Sequence, residues 1–165
     1  MRRMGGLALL FCFVAFAPLA PAHAAPSAVD RSWSNEIPTG RWVMPNHAAV
    51  LEIVPCGPDL CGQIVGMLLA PTDPVPKDWT GVSQCDLTII RVAPERRGDG
   101  QVVWHGIIVN PRNGSAYHVE LKIGADRQLK LRGYVGLPIF GRTQSWPSYT
   151  GPDAAADCRL RQRPG

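Results

Sequence analysis

The sequence predicts an all-β fold, a small eight-stranded antiparallel up-and-down barrel. Three observations carry that expectation. From Thr39 onward, short runs of alternating apolar and polar residues are broken by Gly, Pro, Asn and Asp. No stretch sustains a helical period. The runs number eight at near-even spacing, which suits a barrel or a two-sheet sandwich. Closure is the attractive solution because it removes edge strands altogether.

The expected strands are 40–44, 48–55, 61–69, 84–92, 101–109, 115–123, 128–135 and 139–146. The second and third are joined at Gly57-Pro58-Asp59-Leu60, where Pro-Asp is a strong turn pair, and Cys56 and Cys61 flank it. Setting Cys56 opposite Cys61 also matches Ile53 to Ile64, Leu51 to Gly66 and Ala49 to Leu68 on one face. A long connection, 70–83 (APTDPVPKDWTGVS), leads to the fourth strand. Pro71, Pro74 and Pro76 make it stiff, and Trp79 is either a plug over one barrel mouth or a lid over a ligand.

The fifth strand presents Val103, Ile107 and Val109 on one face, and the sixth presents Tyr117, Val119, Leu121 and Ile123. Matching those faces pairs Val109 with Ser115 across a five-residue loop, 110–114. Ile107 then opposes Tyr117, and His105 opposes Val119 inside the barrel, with His118 outside. A four-residue loop would set His105 opposite His118 instead. The sixth and seventh strands pair Ile123 with Leu129 and Leu121 with Leu131 around residues 125–127, leaving Lys122, Lys130 and Arg132 facing water.

Outside the strands, residues 1–24 read as an export signal: Arg2 and Arg3, an apolar run from Leu7 to Leu19, and the small-x-small Ala22-His23-Ala24. The run falls short of the roughly 20 apolar residues that span a bilayer. Residues 25–38 are an aperiodic lead-in, and 39–163 form the single barrel domain. Cys12 leaves with the signal, so Cys56, Cys61, Cys85 and Cys158 remain for an oxidising compartment, periplasmic or extracellular. With Cys56 joined to Cys61, Cys85 pairs with Cys158 by exclusion. The spacing is not the Cys-x-x-Cys of a redox dithiol.

The formal charge is +4, and two of those positive charges, Arg2 and Arg3, lie in the signal. That is no nucleic-acid footprint, which requires a clustered basic face. Arg159, Arg161 and Arg163 form a basic tail that reads as solvated. No transmembrane segment is expected beyond the signal.

Catalytic chemistry finds little support. Glu52, Asp86 and Glu120 fall on the face opposite the apolar one, so no acid pair points into the barrel. Gly-x-Ser-x-Gly is absent, as are His-x-His and His-Glu-x-x-His. Neither metal nor cofactor is expected. What remains is the inner face, with Leu51, Ile64, Val119 and Leu131 among its aliphatic residues, His105 and Tyr117 as polar exceptions, and Gly66 and Gly133 leaving room. A barrel of this size is either filled by its own side chains or holds one small ligand.

Together, GRW at 40–42, LEIVPCGPDLCGQIV at 51–65, NPRNGSAYHVELKI at 110–123 and LRGYVGLPIFGRTQSW at 131–146 resemble an uncharacterised family of exported bacterial proteins, domain of unknown function 2147. The resemblance implies a lipocalin- or streptavidin-like barrel and brings no catalytic residue or cofactor. Val109-Asn110-Pro111 stands where relatives often carry Tyr-Asp-Pro, and Tyr134 where they commonly carry cysteine. GRW is also similar to the Gly-x-Trp of lipocalins, which implies that Trp42 closes one end of the barrel with Arg142 stacked on it. The function expected is binding of a small apolar or amphipathic molecule, or an accessory role in the envelope. Here His105 and Tyr117 would fix a polar head, and Trp79 and its loop would gate the mouth. The rival is a protein-interaction module with a solid core, working through exposed loops and the aromatic segment 134–149.

Overall fold

A computed structural model describes residues 37–161; the expected signal and most of the lead-in lie outside the described residues. Eight strands follow in chain order: β1 (Gly40–Val43), β2 (Ala49–Cys56), β3 (Asp59–Met67), β4 (Thr88–Arg96), β5 (Val102–Val109), β6 (Ala116–Ile123), β7 (Leu129–Tyr134) and β8 (Arg142–Trp146). They form one antiparallel sheet in which each strand pairs with its sequence neighbours. The sheet curls into a nearly closed barrel. Trp42 bridges Ser148 just beyond β8, flanked by hydrogen bonds from Val43 N to Pro147 O (2.9 Å) and from Tyr149 N to Arg41 O (2.8 Å). Among the described residues, no helix is long and apolar enough to cross a membrane.

The β6–β7 hairpin has the expected register, Ile123 to Leu129 and Leu121 to Leu131. Asp126 accepts from the Gln128 N–H at 3.2 Å and pairs with Lys130, which holds the turn. At the β2–β3 turn the register differs from expectation by two residues: Cys56 opposes Asp59, Ile53 opposes Gly62 and Leu51 opposes Ile64. The reason is Gly57, whose φ of 77° places it first in a two-residue Gly57-Pro58 turn of the hand that matches strand twist. From Leu51 to Cys56 an offset of two keeps the side chains on their expected faces, but a bulge between Val50 and Leu51 reduces it to one, so Gly66, expected inside, opposes Val50 on the outer wall. The Cys56–Cys61 disulfide forms between diagonal positions, with Cα atoms 5.7 Å apart.

The β5–β6 pairing is the consequential correction. Val109 opposes Ala116 across a six-residue loop, 110–115, so the register moves by one and β5 turns over. Trp104 and Ile108 belong with the core, while His105 opposes Glu120 on the outer wall. The expected inward set of Val103, Ile107 and Val109 is replaced by the alternate face. Both faces of β5 are apolar, so alternation alone does not choose between them. Gly106 does: a Cβ there would lie 1.9 Å from the Arg91 carbonyl oxygen, so only glycine permits this approach of β4. Asn110 and Asn113 shape the loop by accepting from the N–H groups of Arg112 (2.9 Å) and Ser115 (3.0 Å).

The fourth strand begins at Thr88 rather than residue 84, because Asp86 adopts a positive φ (59°) beside the disulfide of Cys85. The eighth begins at Arg142 rather than residue 139, since Pro138–Phe140 form a single 3-10 turn. The tail folds back along the outer wall of β3. Cys158 is bonded to Cys85, Leu160 N donates to Met67 O (2.9 Å), and the Leu160 side chain lies over Gly66. Val50 is buried at the same place. Closing a loop with a sequence separation of 73 contributes about 4 kcal/mol by chain entropy. Arg159 is no solvated tail charge. Its guanidinium donates to Ala70 O at 2.8 Å and to Asp73 O, tying the tail to the long β3–β4 connection.

Gly106→Ala should lower stability by more than about 3 kcal/mol in a denaturant melt, as the new Cβ forces β4 and β5 apart. Gly133→Ala, whose Cβ meets nothing within 4 Å, should leave stability unchanged or raise it by about 0.5–1 kcal/mol. Equal melts for both variants would show that β5 is not oriented by this contact.

A one-ended cavity as the candidate functional site

The barrel interior is filled at one end and open at the other. Toward the 57–58 and 124–128 turns it is packed solid by Leu51, Ile53, Val92, Trp104 and Leu121, with Trp42 nearby donating from Nε1 to Pro38 O at 3.1 Å. Toward the opposite end lies a cavity of about 930 Å³. Its mouth is built from the 44–49, 67–84, 109–112 and 133–142 stretches. Ile64, Met67, Ile89, Leu131 and Trp146 line its apolar part.

Register explains why the space is open there. Ile108 opposes Tyr117, Leu131 opposes Gln144, and Gly133 opposes Arg142, with all six side-chain positions on the cavity. Gly133 contributes no side chain, and nothing lies within 4 Å of where its Cβ would stand. On β8, Arg142, Gln144 and Trp146 face inward, while Thr143 and Ser145 face outward and accept from Arg132 (3.0 Å) and Lys130 (2.8 Å). Alternation thus grades β8 from a charge near the mouth to a buried indole, 1% exposed, whose Nε1 donates to Gln144 Oε1 at 3.0 Å.

The candidate residues divide. Ile64, Tyr117 and Leu131 line the cavity. Leu51 and Val119, each 0% exposed, belong to the packed core. His105 sits on the outer wall, its Nε2 3.5 Å from Glu95 and its Nδ1 3.8 Å from Glu120, which in turn pairs with Arg97. It is therefore separated from Tyr117 by the sheet itself. Arg142 does not stack on Trp42: Gly133 is its partner, several residues along the strand from the Trp42–Ser148 bridge, about 20 Å at strand rise. Sequence reasoning did not single out Gln144, Met67 or Ile108 for the cavity. It placed Trp146 among exposed aromatics, although the alternation of β8 carried the signal.

Trp79 neither plugs nor lines the cavity. It is half exposed and rests on Gly114, whose Cβ would lie 2.8 Å from the indole, and the backbone N–H of Trp79 donates to Pro111 O at 3.0 Å. This contact fastens the long β3–β4 connection to the β5–β6 loop. Asp78 shapes the turn beneath it, accepting from Thr80 N (2.9 Å), Thr80 Oγ1 (2.7 Å) and Val82 N (2.9 Å). Partial desolvation pushes the Asp78 carboxyl upward, but these hydrogen bonds outweigh it and hold the group below its usual range.

Among the described residues, Cys85, Asp86 and Cys158 have ligand atoms close enough for a metal, but both sulfurs are committed to the disulfide. No histidine, cysteine or carboxylate lines the cavity among the described residues; its charged groups are Arg112 and Arg142.

Fold and cavity define the class: a small antiparallel β-barrel, packed at one end and hollow at the other. The chain belongs to the family described as "Uncharacterized protein conserved in bacteria (DUF2147)", whose profile matches residues 40–147. Neither the curated proteins nor the solved structures gave a match.

Because the Asp78 pKa is lowered in the fold, its stabilisation of the turn is complete above the ordinary value of 3.8 and is lost as pH falls through the lowered one. Acidification through that window should speed amide exchange at Thr80 and Val82 after correction for intrinsic rates. Asp78→Ala should show the same acceleration at neutral pH, and unchanged exchange in that variant would remove Asp78 as the organiser of the loop.

Proposed function

We propose that the protein binds one small apolar or amphipathic molecule within the barrel, acting as a binder in the periplasm or outside the cell rather than as an enzyme. The observation that carries this reading is the one-ended cavity. Its volume of about 930 Å³ falls in the range of small-molecule sites, roughly 300–1,000 Å³. Its composition follows the pattern of such sites, an apolar body with a few polar groups near the mouth. Tyr117 and Gln144 supply hydrogen bonds there, and Leu69, Pro76 and Gln84 from the long connection border the opening. Two disulfides and the signal-like residues 1–24 support the exported setting.

A second reading, contact with a protein partner, is favoured by the β7–β8 loop. Val135, Leu137, Ile139 and Phe140 are 69%, 63%, 76% and 78% exposed, four apolar side chains close together. The loop borders the cavity mouth through Val135 and Phe140, so such a contact would also bear on access to the cavity.

Filling the cavity tests the binding reading. Gly133→Leu should fold with an unchanged melt and lose most of its uptake of an apolar fluorescent probe. His105→Leu, on the outer wall, should leave uptake intact. Wild-type protein that takes up no probe, or a Gly133→Leu variant that binds as well as wild type, would refute the cavity as the binding site.

A further inference from the structure

We infer that the molecule bound in the cavity is a single-chain amphipath with an oxyanion head, carboxylate or phosphate, received at the mouth by Arg142 with Arg112 as the second cation. This rests on the binding reading above and adds the charge and orientation of the ligand. Arg142 occupies an inward position of β8, where Gln144 and Trp146 follow it on the same face. Its cross-strand neighbour is Gly133, so no side chain opposes it.

Several other arginines of the barrel have partners that this one lacks, and Arg127, whose guanidinium has none either among the described residues, lies outside the cavity. Arg41 pairs with Glu52 and Asp153, Arg91 with Asp59, and Arg97 with Glu120. Arg132 donates to Pro138 O and Thr143, and Arg159 to Asp157 and two carbonyls. The guanidinium groups of Arg142 and Arg112 have neither a carboxylate nor a carbonyl partner among the described residues, and no acid lines the cavity to neutralise them. The planar fork of donors on a guanidinium fits a carboxylate or phosphate in bidentate fashion.

The apolar part then sets the rest of the ligand. From Arg142 to Trp146 the inward face of β8 runs about 13 Å, changing from guanidinium to amide to indole. Ile64, Ile89 and Leu131 add aliphatic surface to the cavity wall. A medium-length acyl chain directed inward, with its head at the mouth, places charge against charge and apolar surface against apolar surface.

The test is displacement of an apolar dye from the purified full chain by dodecanoate, dodecyl phosphate, dodecanol, acetate and inorganic phosphate. Dodecanoate and dodecyl phosphate should bind about tenfold or more tighter than dodecanol, a preference that weakens with salt. Acetate and inorganic phosphate, heads without chains, should displace nothing. Arg142→Gln should abolish the preference while leaving dodecanol affinity unchanged, and Arg127→Gln, at a distant turn, should preserve it. Equal binding of dodecanoate and dodecanol, or a preference that survives Arg142→Gln and the double variant with Arg112→Gln, overturns the head site and leaves the binder standing. Displacement by inorganic phosphate alone would assign the arginines to a free anion and overturn the amphipath. If folded protein binds neither chain, the binding reading falls with it.

Discussion

The antiparallel closure of β1 onto the stretch after β8 is the constraint on which the interior depends. Once the Trp42–Ser148 bridge joins the two edges, each strand has one face toward a shared interior and one toward the outer wall. The position of every functional side chain then follows from parity along its strand. Arg142 and His105 illustrate the two outcomes. One is polar and inside near an opening; the other is polar and outside, between two glutamates.

Closure alone does not make a cavity. The two ends differ in what fills them. At one end large side chains, two of them indoles, pack against aliphatic residues down to complete burial, and Gly62 gives Leu51 and Ile90 the space they occupy. At the other end Gly133 leaves its position empty, and β8 turns polar as it nears the mouth. Burying the charge of Arg142 at the filled end would leave it without water or a counter-ion, at a cost that no neighbouring group offsets. Near the mouth the same charge remains in contact with solvent. The gradient along the barrel axis is therefore both a folding solution and a pattern for recognising an amphipath.

The outer wall contributes in a different way. The tail is held to β3 by the hydrogen bonds of Met67 and to the segment before β4 by the Cys85–Cys158 bond, and it covers Val50 and Gly66. Arg159 extends this brace to the carbonyls of the long connection, while Trp79 fastens that connection to the loop across the mouth. The mouth is thus framed by segments that are individually irregular yet tied to the barrel and to one another.

Much of this was legible in the sequence. Period-two alternation determined the eight strands and their antiparallel order, the turn between Cys56 and Cys61 pointed to one bridge and left the other to exclusion, and the β6–β7 hairpin could be paired residue by residue, because only one of its registers buries an apolar face on both strands. Ile64, Tyr117 and Leu131 were recognisable as inward residues for the same reason. The orientation of β5 was not, since Val102, Trp104 and Ile108 compete with Val103, Ile107 and Val109 on equal apolar terms. The contact that decides between them, Gly106 against the Arg91 carbonyl, exists only after β4 and β5 are brought together. Likewise, Arg142 could be placed near the end of the chain's last strand but not at one end of a half-filled barrel. Local pattern determines which residues share a face; three-dimensional packing decides which face turns inward and where the interior stays open, because volume is a property of all eight strands at once.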